Sequence, residues 1–224
     1  MIENQTEPRT IFIGDVHGCL KELELMVDKL QIQRNDRVIM LGDLINRGPD
    51  PAGVVSFVYE NGFECLLGNH EEEYLHHFRG MEPYRGLHNS IGSQKHEWIE
   101  NLPLWIETDD FLAVHAGLKP NTHPANTERR ILITIRTWDG KGEDLKTPDN
   151  PPWYEFYHDR KPVFYGHWAR KGLNLRDNTF GLDSGCVYGR MLSAYILESS
   201  QLVQIPATRV HYVPPSLRRS QRVY

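Results

Sequence analysis

Residues 10–18 read Thr10-Ile11-Phe12-Ile13-Gly14-Asp15-Val16-His17-Gly18, and the same arrangement returns twice further along. Four apolar residues make a buried strand, and a polar turn bounded by glycine follows it. The next residues predict a helix with Leu20, Leu23, Val27 and Leu30 on its inward stripe and Lys21, Glu24 and Asp28 outside. Arg37-Val38-Ile39-Met40-Leu41 is a second strand ending in Gly42-Asp43, and residues from about Pro51 to Glu60 form the next helix. Phe63 to Leu67 form a third strand, and Gly68-Asn69-His70 is a turn that opens another helix. Strand, polar turn and helix in succession predict a layered α/β fold with parallel strands. In such sheets the functional groups gather beyond the carboxyl ends of the strands, where all three turns lie.

The second half is richer in strands. Phe111-Leu112-Ala113-Val114 precedes His115, and Pro162-Val163-Phe164-Tyr165 precedes Gly166-His167. Thr179 to Leu182, Met191 to Leu197 and Leu202 to Ile205 are expected as antiparallel strands. Residues 139–153, rich in Gly, Asp, Lys and Pro, read as a loop or lid inserted within one domain.

At 224 residues, with 39% hydrophobic and 25% charged residues, the chain has material for one sizeable core and excludes disordered, collagen-like and coiled-coil classes. No apolar run is long enough to span a bilayer. The first residues lack a basic and an apolar leader region, and three cysteines fit a reducing compartment, so a cytoplasmic protein without a membrane partner is expected. Net charge is −5, while residues 209–224 carry four arginines and no acid, which leaves a body near −9. That body is a poor platform for a nucleic acid. The expected organisation is therefore one domain over 1–208 and a solvated basic tail over 209–224.

Five strand ends deliver related side chains: Asp15 with His17, Asp43, Asn69 with His70, His115, and His167. Hard oxygen donors mixed with imidazoles suit divalent manganese, iron, zinc or cobalt. The absence of cysteine from the set argues against a structural zinc knot. If the lone Asp43 bridges, the set holds two ions, which together clamp a phosphoryl group and acidify a shared water.

In order along the chain, Gly-Asp-Val-His-Gly (14–18), Gly-Asp-Leu-Ile-Asn-Arg-Gly-Pro (42–49), Gly-Asn-His-Glu (68–71), His-Ala-Gly (115–117) and Gly-His (166–167) resemble the signature of the calcineurin-like metallophosphoesterases. More narrowly they resemble the phosphoprotein phosphatase superfamily, which includes the symmetrical diadenosine tetraphosphatases and the ApaH-like phosphatases. The resemblance implies a four-layer α/β/β/α sandwich of two mixed sheets. It also implies Asp15, His17 and Asp43 on a first metal, and Asp43, Asn69, His115 and His167 on a second, with manganese the first choice. His70 would be the general acid, and Arg47 would bind phosphate oxygens as a guanidinium fork. Arg136 is the candidate second arginine, from a looser motif. The implied activity is hydrolysis of phosphate esters or anhydrides by metal-activated hydroxide.

Substrate choice turns on Asn46. Protein phosphatases of this superfamily carry Asp there to keep the histidine acid charged; an amide removes that charge and lowers the histidine's pKa. A weaker acid suits a nucleoside polyphosphate leaving group better than a serine alkoxide. His96 to Pro103 and Gly181 to Gly189 also resemble the ApaH-like pattern. Nucleoside polyphosphates, with diadenosine tetraphosphate leading and symmetrical cleavage, are the first expectation. A serine/threonine phosphoprotein is the second, and an inactive nucleotide- or protein-binding relative the third.

Trp138, Trp153, Tyr154, Phe156, Tyr157 and Trp168 crowd the expected lid. Packing is favoured for them, with Trp168 the best candidate for stacking on a base. His76, His77, His88, His96, His123, His158 and His211 are read as surface or capping residues. Cys19 and Cys186 are read as small buried thiols, and Glu71 to Glu73 as serving a helix N-terminus.

Overall fold

The computed structural model describes residues 7–215, so Arg218, Arg219 and Arg222 of the expected basic tail and the first six residues lie outside it. The first sheet holds β1 (Thr10–Ile13), β2 (Arg37–Met40) and β3 (Glu64–Cys65) in parallel. β9 (Met191–Ile196) joins β1 antiparallel, and β10 (Gln201–Pro206) pairs antiparallel with β9. The second sheet holds β4 (Trp105–Glu107), β5 (Leu112–Val114), β6 (Val163–Tyr165), β7 (Asn174–Leu175) and β8 (Thr179–Gly181) in the order β4-β5-β6-β8-β7. Here β5, β6 and β8 run parallel, with β4 and β7 antiparallel at the edges. Thr179–Gly181 is thus a correction: its register against Val163–Tyr165 is parallel.

The central strands β1, β2, β5 and β6 are buried on both faces, and the two-residue pleat decides which core each side chain joins. In β1, Ile11 and Ile13 face the helices while Phe12 faces the other sheet. In β6, Val163 and Tyr165 face outward and Phe164 faces inward, where its ring stacks on Phe12 at 3.8 Å between centroids. Both phenylalanines are fully buried, and truncating either to alanine costs about 3–5 kcal/mol.

Helices α1 (Leu20–Leu30), α2 (Pro51–Glu60), α3 (Asn69–His77) and α4 (Tyr84–Glu100) lie on the first sheet's side. The outer layer of the second sheet is thinner: α5 (Arg129–Thr134) plus the chain around Leu145, Trp153 and Tyr154. The α/β/β/α order is therefore present. The 139–153 segment is not a lid. Leu145 and Trp153 are buried and pin it into this outer layer, away from the metal-ligand side chains.

Local chemistry sets several boundaries. Asp50 caps α2 by accepting from Gly53 N at 2.7 Å, and Pro51 takes the first helical position. On α1 the buried side chains are Leu23, Met26, Leu30 and, unexpectedly, Glu22, while Leu20 and Val27 are half-buried. Glu22 is tolerated because its Oε1 accepts from Thr208 N (2.8 Å), Thr208 Oγ1 (2.6 Å) and His211 Nε2 (2.8 Å). The His211 side chain is consequently a buried hydrogen-bond partner and not a surface group. His96 is also buried, 2.8 Å from the Tyr74 hydroxyl. All three cysteines are buried and free. Among the described residues no helix is long and apolar enough to cross a membrane.

Candidate metal centre

Five strand ends meet where the carboxyl edges of the two sheets converge. Asp15 and His17 follow β1, Asp43 follows β2, and Asn69 and His70 follow β3 and open α3. His115 follows β5 and His167 follows β6, so the second sheet supplies the remaining imidazoles. All but Asn69 are buried, although each carries a polar group.

Asp43 stands in the middle. Its Oδ2 lies 3.5 Å from His17 Nε2 and 3.9 Å from His70 Nε2, and its Oδ1 lies 3.4 Å from His115 Nε2. Asp15 Oδ2 is 3.9 Å from His17 Nε2. On the other flank, Asn69 Oδ1 lies 2.7 Å from His167 Nδ1 and 3.3 Å from His115 Nε2. Ligand-type atoms of His17, Asp43 and His70 form one group within 4.8 Å, and those of Asp43, His115 and His167 form another. The two groups share Asp43.

Main-chain carbonyls fix the imidazoles. His17 Nδ1 is 2.9 Å from Ile45 O, His115 Nδ1 is 2.6 Å from Leu41 O, and His167 Nε2 is 3.1 Å from Thr134 O. Each of those nitrogens carries the proton, because a carbonyl only accepts. The other nitrogen of each ring turns its lone pair into the cluster, which is the arrangement a metal-binding histidine needs. Burial lowers His17 to about 3 against the pull of Asp43, and it holds His167 well below the ordinary value. Neutral imidazoles, carboxylates and an amide oxygen fit a borderline divalent cation. Burial acts to raise Asp43, and any proton carried by His115, His70, His17 or His167 pulls its carboxyl low, so that carboxylate and rings titrate as one set.

The backbone is strained here. Five of the eight described non-glycine residues with positive φ are His17, Asp43, Asn46, Arg47 and His167, each costing about 1–3 kcal/mol. Glycine is required beside them: a Cβ on Gly166 would overlap Asp15 Oδ1, and one on Gly68 would overlap Asp43 Oδ1.

Two further site residues, Glu71 and Asp183, lie within motif stretches of the sequence that give them no role in the site. Glu71, expected merely to serve a helix terminus, is fully buried and gathers four main-chain N–H groups. Its Oε2 accepts from Asp43 (2.8 Å) and Gly68 (3.1 Å), and its Oε1 accepts from Leu44 (2.9 Å) and Ile45 (3.3 Å). Burial and the Asp43 charge push its carboxyl upward, while those N–H bonds pull it back. Asp183, just past β8, is buried, accepts from Gly185 N at 3.1 Å and is pushed up to about 6, chiefly by burial. It raises neighbouring Asp15 as well, after burial itself.

A cavity of about 610 Å³ opens onto the cluster, with Asp43, Asn69, His70 and His167 at its floor and Arg47 and Arg136 beside them. Arg47 Nη1 lies 2.8 Å from His17 Nε2. Arg136 is half-buried and its Nε has no protein partner. Trp168 does not line this cavity; it packs toward Tyr154 at 6.4 Å, in one cluster with Trp138, Trp153 and Tyr157. Asn46 Nδ2 is 2.7 Å from His70 Nδ1, and burial lowers His70 with Asp43 opposing.

Residues 8–195 match the calcineurin-like phosphoesterase family. Relatives include the asymmetrical bis(5'-nucleosyl)-tetraphosphatase PrpE of Oceanobacillus iheyensis, 30% identical over 86% of this chain and 90% of the relative. The symmetrical bis(5'-nucleosyl)-tetraphosphatase of Methylobacillus flagellatus is 28% identical over 88% of this chain and 95% of its own. A crystal structure described as that of a candidate diadenosine tetraphosphatase superposes with a TM-score of 0.83 at 30% identity, covering 91% of this chain and 95% of the other. A serine/threonine phosphatase structure from Saccharomyces cerevisiae superposes with a TM-score of 0.62 at 15% identity over 95% of this chain and 83% of that one, a likeness of fold alone. Sequence, sheet order and site together make this chain a member of the calcineurin-like phosphoesterase family, and so a metal-dependent phosphoesterase.

Proposed function

We propose that the chain hydrolyses nucleoside polyphosphates at a two-metal centre, with diadenosine tetraphosphate as the leading substrate and symmetrical cleavage. Asp15, His17 and Asp43 would hold one ion; Asp43, Asn69, His115 and His167 would hold the other. Manganese is the first choice for a donor set of carboxylate, amide and imidazole. Bound divalent ions supply positive charge to phosphoryl oxygens and acidify a water. Arg47 and Arg136 bind and orient the reacting phosphoryl group, since guanidinium forks match pairs of its oxygens. Glu71 holds the Asp43 turn in place by accepting from the N–H groups of Asp43, Leu44 and Ile45.

One observation carries the choice of substrate: the contact between Asn46 Nδ2 and His70 Nδ1. In this contact the amide N–H donates to Nδ1, so the proton of a neutral His70 sits on Nε2, toward the cluster. A neutral imidazole is a feeble acid. It suffices for a nucleoside di- or triphosphate, which leaves readily as an anion, and it serves poorly for a serine alkoxide. Both relatives are named bis(5'-nucleosyl)-tetraphosphatases, one asymmetrical and one symmetrical, which supports the substrate class. Three free buried thiols suit a cytoplasmic setting. The test is kcat/KM on diadenosine tetraphosphate and on a phosphoserine peptide with added manganese. Preference for the dinucleotide is expected; preference for the peptide overturns the proposal.

A further inference from the structure

The far wall of the cavity is built by residues that no catalytic role uses. Arg170, Tyr188, Arg190, Val210 and Tyr212 line it, and no carboxylate stands among them. Val210 and Tyr212 come from the end of the chain. Residues 207–212 fold back and are fastened by Ala207 N to Arg190 O (2.7 Å), by His211 N and Tyr212 N to Val187 O (3.1 and 2.9 Å), and by Thr208 and His211 to buried Glu22. Arg190 is steadied by donating from Nη1 to Ala169 O at 3.1 Å, and the Arg47 guanidinium lies over the Tyr188 ring at 5.7 Å.

We infer that this wall is a distal subsite for the part of the substrate beyond the reacting phosphorus: further phosphates on Arg170 and Arg190, and a nucleobase against Tyr188 and Tyr212. The inference rests on the polyphosphate reading above and deepens it. A single phosphoryl group is already served by Arg47, Arg136 and the metal floor. A second pair of arginines in the same cavity of a chain with net charge −5 offers guanidinium donors to additional anionic groups, Arg190 keeping donors beyond the Nη1 bond to Ala169. The apolar and aromatic surround of Tyr188, Tyr212 and Val210 matches a flat base better than the polar backbone of a phosphopeptide.

The test uses the full chain loaded with manganese and three substrates: diadenosine tetraphosphate, inorganic tripolyphosphate and p-nitrophenyl phosphate. Calorimetric binding of ADP gives a readout besides turnover. Arg170 is exposed, so Arg170→Gln leaves the core intact; Arg190→Gln and Tyr212→Leu complete the set. Each arginine variant should lower kcat/KM for both polyphosphates about tenfold more than for the aryl phosphate, and weaken ADP about tenfold. Tyr212→Leu should lower the dinucleotide about tenfold relative to tripolyphosphate, which has no base. Equal losses on all three substrates, or ADP binding as tight as wild type, overturn the subsite. If wild type prefers the dinucleotide but the variants keep that preference, the subsite alone falls. If wild type cleaves only the aryl phosphate and a phosphopeptide, the polyphosphate reading falls with it.

Discussion

Replacing Asn46 by Asp probes the acid directly. Asn46 Nδ2 touches His70 Nδ1 at 2.7 Å, so a carboxylate there would accept an Nδ1–H and favour the imidazolium. With charge centres roughly 4 Å apart, the attraction is about 1 kcal/mol in water and about 4 kcal/mol at the dielectric of a protein surface. The mostly buried position of His70 places it toward the upper end, which corresponds to a pKa higher by about 2–3. The shift is read by following the His70 ring resonance in the metal-loaded variant across pH. A stronger acid helps most where the departing oxygen is most basic. Asn46→Asp should therefore raise kcat/KM on a phosphoserine peptide about tenfold relative to diadenosine tetraphosphate. An unchanged His70 titration would refute the electrostatic reasoning. A raised pKa with equal gains on both substrates would refute the leaving-group reasoning.

Glu71→Gln turns one acceptor oxygen into a donor facing two N–H groups, so unfolding in denaturant should show a loss of about 3–6 kcal/mol. Asp43→Asn weakens the shared ligand; metal analysis after dialysis should show affinity falling by more than the about 10–100-fold typical of lost outer-shell partners, with turnover abolished. Gly166→Ala should displace Asp15 and lower metal occupancy in the same assay, while Gly80→Ala, at an exposed position where a Cβ meets nothing, should not. Burial acts to raise Glu22, but hydrogen bonds from Thr208 and His211 outweigh it and bring the carboxyl from 4.5 down to about 2. A depressed acid stabilises the fold above its unfolded pKa and loses that contribution as pH falls through the folded one. The stability gap between wild type and Glu22→Gln should thus shrink by on the order of 1–3 kcal/mol between pH 4.5 and 2 in paired denaturation curves, the lower figure allowing for solvent screening.

The six metal-ligand candidates are legible because each follows directly on a short apolar strand, and strand ends of parallel sheets converge. What stays hidden depends on pairing between distant segments. Glu71 acts on N–H groups 26 to 28 residues upstream, which no local pattern encodes. Asp183 lies in the Gly181 to Gly189 stretch, but its place in the site stays hidden because alternation reveals a strand and not its direction; only the parallel pairing of β8 with β6 puts Asp183 at the functional edge. α4 breaks the helical period itself, since Gly92 has φ 76° and the buried stripe Tyr84, Leu87, Ile91 resumes out of phase at His96 and Ile99. The polar composition of 139–153 suggests a mobile cover, but two apolar anchors, Leu145 and Trp153, determine where it lies.

Asp15, His17, Asp43 and Asn69 belong to one sheet, whereas His115 and His167 belong to the other. Any cation coordinated by both groups is a cross-link between the two halves of the sandwich, and its affinity adds to resistance against unfolding by about 2.7 kcal/mol at a hundredfold excess over Kd. Metal starvation in a cell would then silence the enzyme and expose it to proteolysis together, so its abundance would track trace-element supply without any dedicated sensor.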